Sequence, residues 1–112
     1  MKKHYIPSRG DIIHLNFNPQ SGKEQAGKRP ALVLSPKTYN QKTGLALMCP
    51  ITSKVKGYPF EITIPARLKT KGVILADHIK NLDWQTRSAK FLEKLPRAKT
   101  EETLYKLQLL LD

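Results

Sequence analysis

The chain has 112 residues, with 20 lysines and arginines against 9 aspartates and glutamates, so its formal net charge is +11 and its pI about 10. That length suits a single domain, residues 1–112, whose core must be economical because a chain this short buries only about two-thirds of its unfolded surface. One cysteine, Cys49, excludes an intramolecular disulfide framework and a multi-cysteine zinc site, and no apolar run approaches the ~18–20 residues that span a bilayer.

Along the chain, the opening MKKHYIPSRGD carries a basic pair but not the apolar stretch of a signal peptide, so a soluble, cytoplasmic protein is expected. Residues 10–17 (GDIIHLNF) alternate, with Ile13, Leu15 and Phe17 on one face of a strand. Residues 19–27 form a long connection. Residues 30–35 (PALVLS) are a continuous apolar run that suits a strand buried on both faces, and 40–44 (NQKTG) read as a turn. A second apolar run covers 45–52 (LALMCPIT), followed by a turn at 53–57 and an alternating strand at 60–64 (FEITI). Residues 72–76 and 78–82 predict two more strands, adjacent enough to be continuous. Glycine and proline punctuate these segments at short intervals, the pattern of an all-β barrel or sandwich. From Thr100 the period changes: TEETLYKLQLLLD predicts an amphipathic helix capped by Thr100, with Glu101 and Glu102 in the first turn. Leu104, Leu107, Leu110 and Leu111 would form the face that closes one side of the barrel.

The charge is unevenly placed. Between Ile12 and Phe60 the cations are Lys23, Lys28, Arg29, Lys37, Lys42, Lys54 and Lys56, and the only acid is Glu24. Such a field attracts polyanions, nucleic acid above all, although a solvated basic face and an acidic protein partner fit the same charge. His4, His14 and His78 lack metal-ligand spacing, so no metal or other cofactor is expected. GKEQAGKRP lacks the spacing of a nucleotide-binding loop, no serine-hydrolase elbow is present, and Cys49 in its apolar run reads as a small buried hydrophobe.

The unusual segment is PQSGKEQAGKRP, which sets Glu24 among Lys23, Lys28 and Arg29. RNA carries its own nucleophile, the 2′-hydroxyl, next to a phosphorus. Cleavage needs a base for that hydroxyl, charge stabilisation at phosphorus and a proton for the leaving 5′-oxygen. Carboxylate, guanidinium and hydroxyl groups supply these without a metal. A plain salt bridge in a loop is the competing explanation of Glu24.

Six blocks in order now carry a resemblance: RGDIIHLNF (9–17), GKEQAGKRPALVLS (22–35), YNQKTG (39–44), CPIT (49–52), KGYPF (56–60) and GVILADHIKNLDW (72–84). The chain resembles the MazF/PemK family of bacterial toxin endoribonucleases over most of its length. The resemblance implies a mainly β fold, a small SH3-like β-barrel with a C-terminal α-helix, paired as a homodimer. It implies sequence-specific, metal-independent cleavage of single-stranded RNA, chiefly mRNA, to 2′,3′-cyclic phosphate and 5′-hydroxyl ends, which stops translation. By position, Arg29 and Thr52 match the family's catalytic arginine and threonine, and Glu24 matches a glutamate needed for activity in close relatives. Phe17 matches a base-stacking position. Lys28 and Ser53 are further RNA-binding candidates, Lys54 and Lys56 lie in the loop after Thr52 where they suit backbone phosphates, and Asp77 and His78 match a pair near the family's RNA groove, with the departures that relatives often carry Gln at 78 and some carry His at 28. The implied partner is a MazE-like antitoxin with a DNA-binding domain and an acidic flexible C-terminal tail, so DNA is reached only through that complex and no membrane is involved. The rival readings are a CcdB-like gyrase poison, which would need an aromatic-bearing C-terminus where this chain ends Leu110, Leu111, Asp112, and a non-catalytic RNA-binding barrel, which would lack Glu24, Arg29 or Thr52.

Overall fold

The computed structural model describes residues 5–18 and 27–112. Seven strands and two helices follow in order: β1 (Asp11–Asn16), β2 (Lys28–Val33), α1 (Lys37–Thr43), β3 (Leu45–Thr52), β4 (Glu61–Thr63), β5 (Val73–Leu75), β6 (Lys80–Asp83), β7 (Lys90–Lys94) and α2 (Arg97–Leu109). A 3-10 turn, Ala76–His78, separates β5 from β6. All pairings are antiparallel, in the order β4-β5-β3-β2-β1-β7, with β6 also on β3.

The fold turns on β3, which changes partner along its length. Leu45–Met48 pair with β6, and Ile51 and Thr52 pair with β5. Pro50 stands at the changeover, opposite Ala31 of β2, where its missing N–H leaves the ladder free to part. The central strands are apolar on both faces. Ile12, Leu32, Leu34, Cys49 and Ile51 point into one cluster, completed by Ile62, Ile64, Ile74 and Leu95 and covered by Leu104 and Leu107 of α2. Ile13, Leu15, Ala31, Val33, Ala46 and Met48 point into the other, completed by Phe17 and Trp84. The strand alternation in the sequence is therefore real, but it sorts residues between two apolar layers rather than between core and water.

The mainly β fold with a C-terminal helix is as expected, yet the ladder does not close into a ring among the described residues. A side chain from β7 ties the two ends of the sheet instead. Glu93 accepts the Lys69 N–H at 3.2 Å and the Thr70 N–H and hydroxyl, both at 2.7 Å, from the turn between β4 and β5. These bonds hold its carboxyl below the usual range.

Three local expectations are corrected. The 40–44 turn is the end of helix α1, which Gly44 stops in the left-handed region at φ 74°. Buried Asn40 anchors that helix: its amide nitrogen donates to the carbonyls of Pro7 (2.8 Å) and Ser35 (3.1 Å), while its side-chain oxygen accepts the Ser35 hydroxyl (2.5 Å). Helix α2 begins at Arg97 after Pro96, so Thr100 is a buried residue inside it rather than its cap. Only Leu104 and Leu107 of the leucine face pack on the core; Leu110 and Leu111 are exposed, the latter at 86%. Strand β7 was not foreseen, because the charges of KFLEK mask its short alternation. No helix among the described residues is long and apolar enough to cross a membrane.

Candidate functional site

Antiparallel pairing brings the start of β2 beside the end of β3. The β2–β3 ladder runs from Val33–Met48 to Ala31–Pro50, so Arg29 and Thr52 lie just beyond its end, and both line one groove. Thr52 is placed from its other side by β5, where it pairs with Val73. The approach there is close: a Cβ on Gly72 would lie 2.1 Å from the Thr52 carbonyl oxygen, and Gly72 holds φ +113°. Beyond Thr52 the chain bends away, and the Thr52 hydroxyl accepts the Lys54 N–H at 3.1 Å.

This corner opens into a groove of about 890 Å³. Lys28 and Arg29 line it from β2, Ile51 and Thr52 from β3, and Ser53, Lys54, Lys56 and Tyr58 from the loop that follows. Glu61 of β4, Lys71, Leu75 of β5 and His78 complete the wall. Among the described residues its charged groups are Lys28, Arg29, Lys54, Lys56 and Lys71 against the carboxylate of Glu61, with the His78 imidazole beside them. Lys71 is tied down, its ammonium donating to the carbonyls of Ala66 (2.6 Å) and Leu68 (2.7 Å). A polyanion laid along the groove therefore meets cations on both walls and hydroxyls at the junction.

The structure thus brings together Lys28, Arg29, Thr52, Ser53, Lys54, Lys56 and His78. Asp77 stands on the same 3-10 turn as His78, exposed, but does not line the groove. Glu24 lies outside the described residues. Phe17 is a correction: its ring is 1% exposed in the second apolar cluster with Leu15 and Trp84, so it presents no face for a base to stack on. The exposed aromatic at the groove is Tyr58, at 57%. Tyr58, Glu61 and Lys71 were missed from the sequence. Glu61 did carry a signal, as the first acid after a long cationic stretch and an outward position in FEITI.

Cys49 is fully buried, and burial, with the charge of Asp77 nearby, pushes its thiol up to about 12. It is packing, not a nucleophile. No group of three or more His, Cys, Asp or Glu among the described residues is arranged to hold a metal ion.

Fold and site together define a small, strongly basic β-sheet protein with an open groove lined by cations and hydroxyls. Residues 8–111 match the family described as PemK-like, MazF-like toxin of type II toxin-antitoxin system. The chain is 48% identical over 89 residues to the endoribonuclease toxin MazF of Escherichia coli strain K12, covering 80% of this chain and 79% of that protein. Its structure is similar to the crystal structure of MazF from Deinococcus radiodurans, with a TM-score of 0.94, 53% identity, and 96% and 98% of the two chains covered. It is also similar to a MazE-MazF crystal structure from the same organism, with a TM-score of 0.87, 51% identity, and 96% and 97% covered. The chain belongs to the PemK-like, MazF-like toxins of type II toxin–antitoxin systems.

Proposed function

We propose that this endoribonuclease toxin, a single domain over residues 1–112, cuts single-stranded RNA, chiefly mRNA, in the groove that Arg29 and Thr52 line, and so inhibits translation. The observation that carries the reading is that Arg29 of β2 and Thr52 of β3 line one groove together with Lys28, Lys54, Lys56 and Lys71. The RNA supplies the nucleophile. Its 2′-oxygen bonds to phosphorus as the bond to the 5′-oxygen breaks, one proton leaves the 2′-hydroxyl and one is delivered to the 5′-oxygen. The products are a 2′,3′-cyclic phosphate and a 5′-hydroxyl, with no metal or cofactor in the scheme.

A guanidinium is a fixed cation in proteins, so Arg29 stabilises the charge that builds on the phosphoryl oxygens rather than acting as the base. The Thr52 hydroxyl hydrogen-bonds a phosphoryl oxygen, and Glu24 takes or orients the 2′-hydroxyl proton. Lys28, Ser53, Lys54 and Lys56 hold the strand by its phosphates. His78, with Asp77 beside it, contacts a base and contributes to the choice of cleavage site.

The same groove serves an antitoxin of the MazE kind, for which the likeness to MazE-MazF structures is the support. An acidic, flexible tail that orders on binding complements this charge, so RNA and antitoxin compete, and DNA is reached only through the complex. The toxin works as a homodimer in the bacterial cytoplasm. Exposed Phe91 and Leu92 on β7, the edge strand of the sheet, support a second copy as neighbour.

The test incubates wild type and Arg29→Ala with a long mixed-sequence RNA in EDTA and maps the new ends. Discrete cuts are expected from wild type, with cyclic-phosphate and 5′-hydroxyl termini, and roughly 10²–10³-fold slower cleavage from the variant. RNA bound but uncut, or gyrase inhibited instead, would overturn the assignment.

A further inference from the structure

A carboxylate opposes the binding of polyphosphate, yet Glu61 lines the groove among lysines. Both of its oxygens are engaged. Oε2 accepts the Lys56 N–H at 3.1 Å and Oε1 accepts the Gly57 N–H at 2.9 Å. These consecutive donors belong to the loop that carries Ser53, Lys54, Lys56 and Tyr58 into the groove. The side chains of 53–58 are exposed, so packing does little to hold the loop. Its ends are tied where the Lys54 N–H meets the Thr52 hydroxyl and where the Glu61 N–H donates to the Tyr58 carbonyl at 3.1 Å. Between these ends the chain turns at Gly57, with φ +81°, and the two N–H groups at that turn point at the carboxylate. Glu61 is itself fixed by β4, where it pairs with Leu75.

We propose that Glu61 is a positioning residue for RNA: its carboxylate clamps the 53–60 loop so that Lys56 and Tyr58 meet the strand in one geometry. This rests on the groove being the RNA site. Tyr58, the exposed aromatic there, is the platform on which a base stacks, a contact worth most when its ring is held in advance. Hydrogen bonds from N–H to a carboxylate are the stronger kind, and they also spread the negative charge that would otherwise repel phosphate.

Glu61→Gln separates clamp from charge, because the two predict opposite signs. Losing a negative charge from a cationic groove would by itself tighten RNA, by roughly threefold at low salt. Losing the clamp weakens it, since the amide offers an NH2 where a backbone N–H needs an acceptor. The expected result is a Kd roughly tenfold higher, the scale of one charge-assisted hydrogen bond. It is read with a labelled 2′-O-methyl single-stranded RNA, which binds but lacks the nucleophile. Cleavage should show the loss mainly in KM, because Arg29 and Thr52 stand on strands outside the loop. In a Lys56→Ala/Tyr58→Ala background the weakening should disappear, leaving binding unchanged or up to about threefold tighter through the lost charge alone, a coupling that a general loss of stability would not produce.

Amide hydrogen exchange tests the clamp without RNA and without a variant. The Lys56 and Gly57 amides of wild type should be protected, and in Glu61→Gln, whose amide keeps one acceptor oxygen, the protection of one of the two should be lost. Wild-type amides that exchange at free-loop rates, RNA binding by Glu61→Gln as tight as wild type or tighter, or an undiminished effect in the double-alanine background would each overturn the proposal. Protected amides in a wild type that binds no RNA would instead overturn the groove as RNA site, and with it the role of Glu61 in binding.

Discussion

Replacing Gly72 with alanine tests how the Thr52 corner is built. The added Cβ would sit 2.1 Å from the Thr52 carbonyl oxygen, 2.8 Å from its carbonyl carbon and 3.0 Å from the Ser53 Cα. A carbon and a carbonyl oxygen approach to about 3.3 Å at closest, so one strand end must move by roughly 1 Å. All three atoms are backbone, and no side-chain rotation relieves them. Positive φ adds about 1–2 kcal/mol and overpacking about 1–3 kcal/mol, so the variant should lose roughly 2–5 kcal/mol. Gly44→Ala is the control: φ is +74° and nothing lies within 4 Å of the new carbon, so only the conformational cost of about 1–2 kcal/mol applies. At about 4–8 °C per kcal/mol, Gly72→Ala should melt roughly 5–20 °C below Gly44→Ala in thermal circular dichroism. RNA cleavage at a temperature where both are folded should fall more for Gly72→Ala, because Thr52 is displaced; a shift of about 1 Å can cost up to 10²-fold. Equal melting temperatures with wild-type cleavage in both would refute the argument.

Asn40→Ala should cost roughly 2–4 kcal/mol in urea unfolding, since it strands the Ser35 hydroxyl and two buried carbonyls; a loss under about 1 kcal/mol would show that water or a rearranged α1 replaces the amide. With its thiol pushed up to about 12, Cys49 should be inert to iodoacetamide at pH 8 when folded and alkylated quickly in denaturant. Its raised value also means that the stability it contributes is intact below about 9, its ordinary value, and declines as pH rises from 9 towards 12, which alkaline unfolding of wild type against Cys49→Ser should reveal. Glu93 has the opposite sign. Its carboxyl is held below 4.5, so its contribution is present above that pH and lost as pH falls through the lowered value; acid unfolding of Glu93→Gln should be correspondingly less steep than that of wild type.

Elements whose cause is local are legible in the order of the residues. β3 is legible to the residue, because the apolar run of 45–52 begins after Gly44 and ends where Ser53 and Lys54 turn polar. The blocks around Arg29 and Thr52 were equally readable, since each is a short motif on one strand. Tertiary structure decided everything that depends on what faces those strands. Alternation put Ile13, Leu15 and Phe17 on one side, but whether that side met RNA or core depended on Trp84, far along the chain. Thr100 resembled a cap and Pro96 was one, because a helix start also depends on where the preceding strand delivers the chain. The leucine face divided in the same way, Leu104 and Leu107 meeting the sheet while Leu110 and Leu111 run past its edge. Glu61 and Gly72 matter for one bond pair and one close approach, contacts across a loop and across two strands. A one-dimensional pattern records what a residue is. Only the pairing register records what stands opposite it.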